Sequence, residues 1–327
     1  MKAAIYTRYG PPDVVEIAEV QEPVPKDDEV LIKVRAASVN PLDWRMVRGV
    51  PRIFRVLFRL RAPTATEPAR PGRDVAGQIE AVGRNVSQLK PGGEVFGVCS
   101  GAFAECACAS ESKLASKPQS LSFEQAAAVP VAAVTALQGL RDHGHIQPGQ
   151  KVLINGAAGG VGTFGVQIAK SFGADVTGVC STGNVEMVRS IGADRVIDYT
   201  QEDFTQSDER YDLILDCVGN RSLSAYRRVL SPKGICVLVG APKDLGIFLI
   251  RALTAPVLGL FVSQKFVMFI AKITKEDLNI LSELMVAGKV KTVIDRCYRL
   301  SETAEAFRYL EQGHARGKVV ITLESNA

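Results

Sequence analysis

Two patterns of hydrophobic and polar residues divide the chain. From Lys2 to about Glu124, short alternating or apolar runs, such as residues 30–36 and 75–82, are separated by proline and glycine turns. This spacing predicts a β-rich domain, either a partly open barrel or a sandwich. Beyond Ser122, which can cap a helix, strand patterns alternate with helical ones. That alternation predicts a parallel sheet with helices on both faces.

The predicted elements place a second domain in the middle of the chain. Its expected strands are residues 151–155, 174–180, 195–199, 211–216 and 234–240, with helices at 162–173 and 185–191. The last part of the chain predicts helices at 275–287 and 302–311 and strands at 290–295 and 318–323. The final strand can return to the first domain. We therefore expect a β-rich domain of residues 1–124 and 273–327, interrupted by a parallel-sheet domain of residues 125–272.

The overall composition is that of a folded protein. The chain has 327 residues, of which 46% are hydrophobic and 23% charged, and its length predicts about two domains. Its net charge of +4 is too balanced for a dedicated nucleic-acid-binding protein, so no nucleic-acid partner is expected. The seven cysteines are irregularly spaced, and a strand pattern begins directly after Met1. These features predict reduced thiols and a cytoplasmic location.

One long apolar stretch, residues 245–270, raises the question of a membrane span. Arg251, Pro256 and Lys265 interrupt it, and its longest uncharged run, residues 252–264, has 13 residues. A spanning helix needs about 18 or more apolar residues. We therefore expect the stretch to form the wall of a substrate pocket or a dimer interface in a soluble protein.

A glycine-rich sequence follows the strand predicted at residues 151–155. Gly156-Ala-Ala-Gly-Gly-Val-Gly162 stands between this strand and a predicted helix, as a dinucleotide-binding turn requires. Glycines here allow the backbone to approach a pyrophosphate, and the helix N-terminus offers N–H groups to it. The alternative is an ordinary tight strand–helix connection. The residues predicted to contact the dinucleotide are Ala158, Gly159, Gly160, Val161 and Gly162.

The end of the next predicted strand indicates which dinucleotide is used. In NAD-binding proteins an acidic residue at this place holds the ribose 2′-OH. Here Ser181, Thr182 and Asn184 can donate hydrogen bonds to a 2′-phosphate, and no carboxylate precedes Glu186 in the loop. The sequence favours NADP(H), although a polar loop that tolerates either cofactor is the alternative.

Several motifs together carry a family resemblance. They are Gly72-Arg-Asp-Val-Ala-Gly-Gln-Ile-Glu-Ala-Val-Gly83, Ala157-Ala-Gly-Gly-Val-Gly162, Asp216-Cys-Val-Gly219 and Gly317-Lys-Val-Val. Over almost its whole length, the sequence resembles the zinc-independent quinone oxidoreductase branch of the medium-chain dehydrogenase/reductases. The resemblance implies an α/β protein with a GroES-like β-rich substrate domain and a Rossmann domain, a doubly wound parallel sheet. It also implies an active site in the cleft between the domains and a homodimer.

The resemblance assigns roles to further residues. Thr135 and the turn Gly240-Ala241-Pro242 match contacts on the nicotinamide side of NADPH. Tyr199 matches a tyrosine that meets the 2′-phosphate, and Lys318 lies in the returning segment near the cofactor. Val218, in the Asp216–Gly219 motif, joins the cofactor contacts.

The sequence also departs from the family pattern. Glu94 replaces an aspartate, which we interpret as a neutral change. Gly183 stands where an arginine often follows Ser-Thr, which weakens the expectation of NADPH. Val50 stands where many quinone reductases have an aromatic residue, which leaves the identity of the substrate open.

The resemblance also bears on zinc. Zinc-dependent relatives use a cysteine thiolate and a Gly-His-Glu, where this chain has Val39-Asn40-Pro41 and Gly72-Arg73-Asp74. An asparagine is a poor zinc ligand and an arginine is none, so no metal is expected. Without zinc, the acceptor must carry the arriving negative charge, as the conjugated system of a quinone or an α,β-unsaturated ketone does.

Three residues are candidates for the chemistry at the substrate. Asn40 is the candidate hydrogen-bond donor to the developing oxyanion, with Arg73 close by and Asp43 bracing the loop. The alternative for Asn40 is a turn residue before Pro41.

The basic residues of the chain are concentrated in one segment. Residues 44–73 contain eight arginines and one acidic residue, Glu67, so that this segment is +7 and the rest of the chain about −3. Arginines at 45, 48, 52, 55 and 59 alternate with apolar residues at helical spacing, which predicts a basic amphipathic helix. We expect a lid over the substrate cleft; peripheral contact of residues 45–61 with an anionic membrane is the alternative.

The sequence as a whole predicts a zinc-free, NADPH-dependent reductase of quinones or of enones and enals. Two alternatives remain open. One is an alcohol dehydrogenase of the zinc type, and the other is a non-catalytic NADPH-binding protein with a sensor or structural role.

Overall fold

The computed structural model describes residues 1–49, 62–240 and 263–323. The chain divides into two compact units. The first, here called the β-rich unit, comprises Met1–Val131, Ile273–Val286 and Ile294–Ala327. The second, the parallel-sheet unit, comprises Ala132–Lys272 and Ala287–Val293.

Most of the regular structure in the β-rich unit is extended. Its strands are β1 (Lys2–Ile5), β2 (Glu16–Glu19), β3 (Glu29–Val39), β4 (Asp74–Val82), β5 (Glu94–Val98), β6 (Cys106–Ser110), β7 (Leu114–Ser116), β14 (Ile294–Arg299) and β15 (Lys318–Thr322). Seven of them form a sheet in the order β14–β15–β3–β4–β5–β7, with β6 also paired to β3, while β1 pairs with β2. The α-helices of this unit are α1 (Pro41–Arg48), α2 (Phe123–Ala127), α7 (Lys275–Val286) and α8 (Thr303–Gln312).

Strand β3 is the centre of this sheet. It pairs antiparallel with β4 and β6, and its last residues pair with the returning strand β15, Val39 opposite Val319. Val30, Ile32 and Val34 are almost fully buried in the core of the unit. The pairing with β15 brings Lys318, the first residue of that strand, beside the end of β3 and the start of α1.

The parallel-sheet unit alternates strands and helices. Its strands are β8 (Lys151–Asn155), β9 (Asp175–Cys180), β10 (Arg195–Asp198), β11 (Tyr211–Asp216), β12 (Leu230–Leu238) and β13 (Lys265–Met268). Its α-helices are α3 (Pro130–Gln138), whose first two residues belong to the β-rich unit, α4 (Gly160–Ser171), α5 (Val185–Ser190) and α6 (Leu223–Val229). The six strands are parallel and lie in the order β10–β9–β8–β11–β12–β13. This order is that of a dinucleotide-binding, doubly wound sheet, and it reverses between β8 and β11. The predicted fold class is thus confirmed.

Two strands differ from their predicted positions. The strand expected at residues 290–295 is found at Ile294–Arg299. Residues just before it are held in the parallel-sheet unit, because the side chain of Gln167 donates to the carbonyl oxygen of Lys291 (2.9 Å) and accepts from its N–H (2.8 Å). Strand β12 begins at Leu230, four residues earlier than predicted, because Tyr211 of β11 pairs with Leu230 across a bulge.

The apolar stretch and the basic segment are described only in part. Residues 245–262 of the apolar stretch lie outside the described residues. So do residues 50–61 of the basic segment, which include Arg52, Arg55 and Arg59. The end of the apolar stretch contains the edge strand β13, parallel to β12. In α1, Arg48 forms an ion pair with Glu311 of α8, and the guanidinium of Arg45 lies 5.3 Å from the ring of Trp44. The described residues contain no helix that is long and apolar enough to cross a membrane.

Candidate active site

The glycine-rich turn joins β8 to α4 as predicted, and the helix begins at Gly160, two residues earlier than expected. Gly156 has a φ of +82°, a left-handed conformation that favours glycine. A Cβ on Gly162 would lie 2.0 Å from the carbonyl oxygen of Gly156, whereas one on Gly159 would meet only that oxygen, at 3.4 Å. Gly162 therefore serves the packing of the turn, and Gly159 leaves open space beside the N-terminus of a 12-residue helix. Such a helix end binds anions.

The ends of the neighbouring strands form one hydrogen-bonded group. Asn155, at the end of β8, donates from Nδ2 to Oδ1 of Asp216 (2.9 Å), the last residue of β11. The same oxygen accepts from the N–H groups of Val218 (3.1 Å) and Gly219 (2.9 Å). A Cβ on Gly240 would lie 2.4 Å from the nitrogen of Val218. These loops lie where the strand order reverses, which is where dinucleotides bind in such sheets.

The predicted nicotinamide-side residues are described in part. Thr135 is half-buried in α3, and Val218 is 40% exposed at the carboxyl end of β11. Gly240 is the last described residue before the gap. Ala241 and Pro242 lie outside the described residues.

The loop after β9 contains the residues predicted to meet the 2′-phosphate. The amide of Asn184 donates to the hydroxyl of Ser181 (3.0 Å), and the hydroxyls of Thr182 and Thr200 lie 2.9 Å apart. Tyr199 is half exposed, and its N–H donates to the carbonyl oxygen of Cys180 (3.0 Å). The structure therefore brings Ser181, Thr182, Asn184 and Tyr199 to the ends of β9 and β10.

A carboxylate that was not among the predicted site residues lies at the same place. Asp198 ends β10 and pairs in register with Cys180, the last residue of β9. It accepts hydrogen bonds from the N–H (2.9 Å) and the hydroxyl (2.8 Å) of Thr200. The loop itself contains no carboxylate before Glu186, as the sequence indicates, but the neighbouring parallel strand supplies one. The signal in the sequence was Val196-Ile-Asp-Tyr199, an acid directly after an apolar strand.

In the β-rich unit, the start of α1 is fixed by two neighbours in the sequence. Pro41 is the first helical residue, a position at which its missing N–H costs nothing. Asp43 reaches back and accepts from the N–H of Asn40 at 2.8 Å. The side chain of Asn40 is thereby left for contacts outside the helix.

Asn40 belongs to a buried polar network. Its Nδ2 donates to Oδ2 of Asp74 (2.9 Å), and its Oδ1 accepts from the ammonium of Lys318 (2.6 Å). The exposed fraction is 3% or less for all three residues. The Lys318 ammonium lies 3.4 Å from Oδ2 of Asp74, so the network contains an ion pair as well.

Asp74 is the anchor of this network and was not among the predicted site residues. Its Oδ2 also accepts from the hydroxyl of Ser38 (2.7 Å), and its Oδ1 accepts from the N–H of Val131 (3.0 Å). Asp74 follows Arg73 at the start of β4, and Ser38 lies opposite it on β3. A single acid at the start of an apolar strand was the available signal.

Burial changes the acidity of Asp43. The loss of contact with water and the nearby negative charge of Asp74 raise the pKa of Asp43 to about 7, although the N–H of Asn40 and the charges of Lys318 and Arg73 act in the opposite direction. The side chain of Arg73 itself is exposed. The structure thus brings Asn40, Asp43 and Lys318 together, with Arg73 close enough to influence Asp43.

Comparisons with known proteins agree with this geometry. Residues 26–119 match the family model of the alcohol dehydrogenase GroES-like domain, and residues 191–321 match that of a zinc-binding dehydrogenase. The chain is 37% identical to the 2-methylene-furan-3-one reductase of Solanum lycopersicum, over 98% of this chain and 79% of the relative. It is 34% identical to the chloroplast envelope quinone oxidoreductase homolog of Arabidopsis thaliana, over 98% of each.

The solved structures include a quinone oxidoreductase from Coxiella burnetii. It superposes with a TM-score of 0.85 and 29% identity, over 99% of each chain. The chain belongs to the quinone oxidoreductases of the medium-chain dehydrogenase/reductase superfamily. The predicted family is thus confirmed.

Asn40 and Arg73 stand at the positions where zinc-dependent relatives are expected to bind their metal. In this quinone oxidoreductase, the carboxamide of Asn40 is already engaged on both sides, and Lys318 places an ammonium beside it. A buried cation repels a metal ion, and an amide and an arginine are not zinc ligands. These residues therefore do not fit zinc. Within residues 1–49, 62–240 and 263–323, the one trio of side chains close enough to share a metal is Glu22, Glu80 and Cys106.

Proposed function

We propose that this enzyme reduces quinones or α,β-unsaturated carbonyls, with hydride from NADPH and without zinc. The observation that carries the proposal is the Lys318–Asn40–Asp74 network, which provides a hydrogen-bond donor where zinc-dependent relatives have a metal. The names of relatives support it. One relative from Arabidopsis thaliana, 35% identical over 98% of this chain, is named an NADPH-dependent alkenal/one oxidoreductase.

The parallel-sheet unit has the features needed to hold the cofactor. The turn from Ala158 to Gly162 and the N-terminus of α4 suit a pyrophosphate, and the residues at the ends of β9 and β10 suit the adenosine ribose. When bound there, NADPH supplies the hydride. Thr135, Val218, Gly240 and Ala241 are the proposed contacts on the nicotinamide side.

At the substrate, the protein has to stabilise an oxyanion. Hydride arriving at a conjugated carbonyl compound moves negative charge onto the oxygen. Asn40 has a second hydrogen on Nδ2 beyond the one directed at Asp74, and we assign that hydrogen to the substrate oxygen. Asp43 holds the backbone of Asn40 in place, and Arg73 adds positive charge nearby.

The assembly and the compartment also belong to the proposal. We expect a homodimer, as in the family, and a reducing, cytoplasmic environment. No disulfide bond joins any of the seven cysteines, all of which lie in the described residues, and this fits a reducing compartment. Sedimentation equilibrium measures the oligomeric state. Imaging of the tagged protein in the cells that produce it shows its location.

The proposed activity is tested with three kinds of acceptor. NADPH oxidation is followed with 9,10-phenanthrenequinone, with a simple enone and with the corresponding saturated ketone. We expect turnover with the quinone or the enone and none with the saturated ketone. An enzyme of the zinc alcohol dehydrogenase type would instead turn over the saturated ketone or its alcohol, and a non-catalytic protein would bind NADPH without consuming it. Either result would overturn the proposal.

A further inference from the structure

The ends of β9 and β10 determine how the cofactor's adenosine ribose is received. The two strands are parallel and in register, with Asp198 beside Cys180. The Ser181–Asn184 loop begins directly after Cys180, so the carboxylate of Asp198 lies next to the loop that would face the ribose. The hydrogen bond from the N–H of Tyr199 to the carbonyl oxygen of Cys180 (3.0 Å) fixes this arrangement.

Asp198 carries its negative charge at physiological pH. The hydroxyl of Thr182, together with the N–H and hydroxyl of Thr200, holds the pKa of Asp198 below its usual value. These donors also keep the carboxylate in one orientation. The charge is therefore a permanent feature of this end of the site.

Two side-chain donors of the loop, those of Thr182 and Asn184, already make hydrogen bonds within the protein. The amide of Asn184 donates to Ser181 (3.0 Å), and the hydroxyl of Thr182 interacts with Thr200 and Asp198. To bind a 2′-phosphate, the hydroxyl of Thr182 must exchange its partner for the phosphate, because it has only one hydrogen to donate. The net gain from such an exchange is smaller than that from free donors.

A positive charge that acts on this end of β9 is offset. Arg189 influences the thiol of Cys180, but its guanidinium donates to the carboxylate of Glu186 at 2.8 Å. The loop also lies beside the carboxylate of Asp198. The charges of Arg189, Glu186 and Asp198 together therefore amount to about −1. A phosphate dianion is repelled by such a charge, whereas a ribose 2′-OH can donate a hydrogen bond to it.

We infer that Asp198 is a specificity-determining residue that limits discrimination in favour of NADPH, so that NADH also serves as hydride donor. The inference rests on the proposed function, since it concerns the cofactor of that reaction. It predicts an enzyme that uses both nicotinamide cofactors, with a modest preference set by one carboxylate.

The experiment compares kcat/KM for NADPH and for NADH at saturating quinone, in the wild type and in Asp198→Asn. The asparagine keeps an oxygen that can accept the bonds from Thr200, but it removes the charge. We expect a wild-type NADPH-to-NADH ratio below about thirtyfold. In Asp198→Asn the ratio rises about tenfold, through a lower KM for NADPH.

Asp203→Asn is the matched control. Asp203 makes the same local turn as Asp198, accepting from the N–H (3.0 Å) and the hydroxyl (2.9 Å) of Thr205. It lies after the end of β10 and outside the loop, so Asp203→Asn leaves the ratio unchanged. A ratio that also rises in this control would show a general effect of removing a charge and would overturn the inference.

Other outcomes separate the inference from the proposed function. A wild-type ratio above about thirtyfold, or an active Asp198→Asn enzyme with an unchanged ratio, overturns the inference and leaves the reductase activity intact. If the wild type oxidises neither cofactor with any quinone or enone, the proposed function fails, and the inference fails with it. The wild-type measurement alone keeps the inference falsifiable if Asp198→Asn does not fold.

Discussion

The ammonium of Lys318 lies 2.6 Å from the amide oxygen of Asn40, although 277 residues separate them in the chain. Because Nδ2 of Asn40 faces the carboxylate of Asp74 at 2.9 Å, the orientation of the amide is determined on both sides. Exchanging the oxygen and nitrogen would place two donors together on one side and two acceptors on the other. The group that Asn40 can offer to a substrate is therefore the second N–H of Nδ2, a hydrogen-bond donor.

The first prediction concerns the stability that Lys318 provides. In Lys318→Met, the carboxylate of Asp74 loses the cation beside it while remaining fully buried. We expect the free energy of unfolding, measured with urea, to fall by about 3–5 kcal/mol. The double variant Lys318→Met/Asp74→Asn removes both charges and should recover most of this loss. If the single variant is as stable as the wild type, the ion pair does not have the role described.

The second prediction concerns Asn40 as hydrogen-bond donor. Asn40→Ala removes the N–H assigned to the oxyanion but leaves Lys318 and Asp74 paired. We expect kcat with a quinone and with an enone to fall about 100-fold, while the KM for NADPH changes little. Ser38→Ala is the control, because Ser38 donates to the same carboxylate and has no assigned contact with substrate. Unchanged turnover of Asn40→Ala with both acceptors would remove Asn40 from the chemistry.

The third prediction follows from the pKa of about 7 at Asp43. In the unfolded chain this carboxyl ionises near pH 4. Between pH 4 and 7 the folded protein therefore keeps a proton that the unfolded chain has lost. The contribution of Asp43 to stability consequently falls as the pH rises through this range.

Asp43→Asn makes this dependence measurable, because the asparagine mimics the protonated side chain at every pH. We expect the wild type and the variant to be about equally stable at pH 4, and the variant to be the more stable of the two at pH 8. Urea unfolding at both pH values gives the comparison. A difference in stability that does not change with pH contradicts the raised pKa.

The fourth prediction separates two glycines of the dinucleotide turn. In Gly162→Ala, the new methyl group meets the carbonyl oxygen of Gly156, so the free energy of unfolding falls by about 1–3 kcal/mol. In Gly159→Ala the methyl group has space within the protein but occupies the place of the pyrophosphate. We expect normal stability and a dissociation constant for NADPH raised by about tenfold or more. Equal effects of the two variants on stability would contradict this division of roles.

The parts of the structure that could be predicted from the sequence depend on short stretches of chain. Strands β8 and β11 were predicted with their observed bounds, because each is an apolar run between turn residues. The glycine-rich turn could be recognised because its strand, turn and helix are consecutive. Its helix nevertheless begins two residues earlier than predicted, since Gly160 and Val161 are helical despite their place in the turn.

The missed features arise where distant segments meet. The partners of Asp74 lie on β3, at Val131 and on the last strand, and no local pattern connects them. Asp198 was missed for the same reason: its position beside Ser181 depends on the pairing of β10 with β9. The predicted site residues could thus be recognised one by one in the sequence. The carboxylates of Asp74 and Asp198, which act on them, could be placed beside them only in the folded chain.

The central claim is that conjugated carbonyl compounds are reduced without a metal. The most direct measurement is the rate of NADPH oxidation with 9,10-phenanthrenequinone and with an enone, before and after dialysis of the enzyme against a strong zinc chelator. Zinc is quantified in the same samples. The network of Lys318, Asn40 and Asp74 predicts unchanged rates in enzyme that contains essentially no zinc. Rates that disappear with the metal and return when zinc is added would contradict the claim.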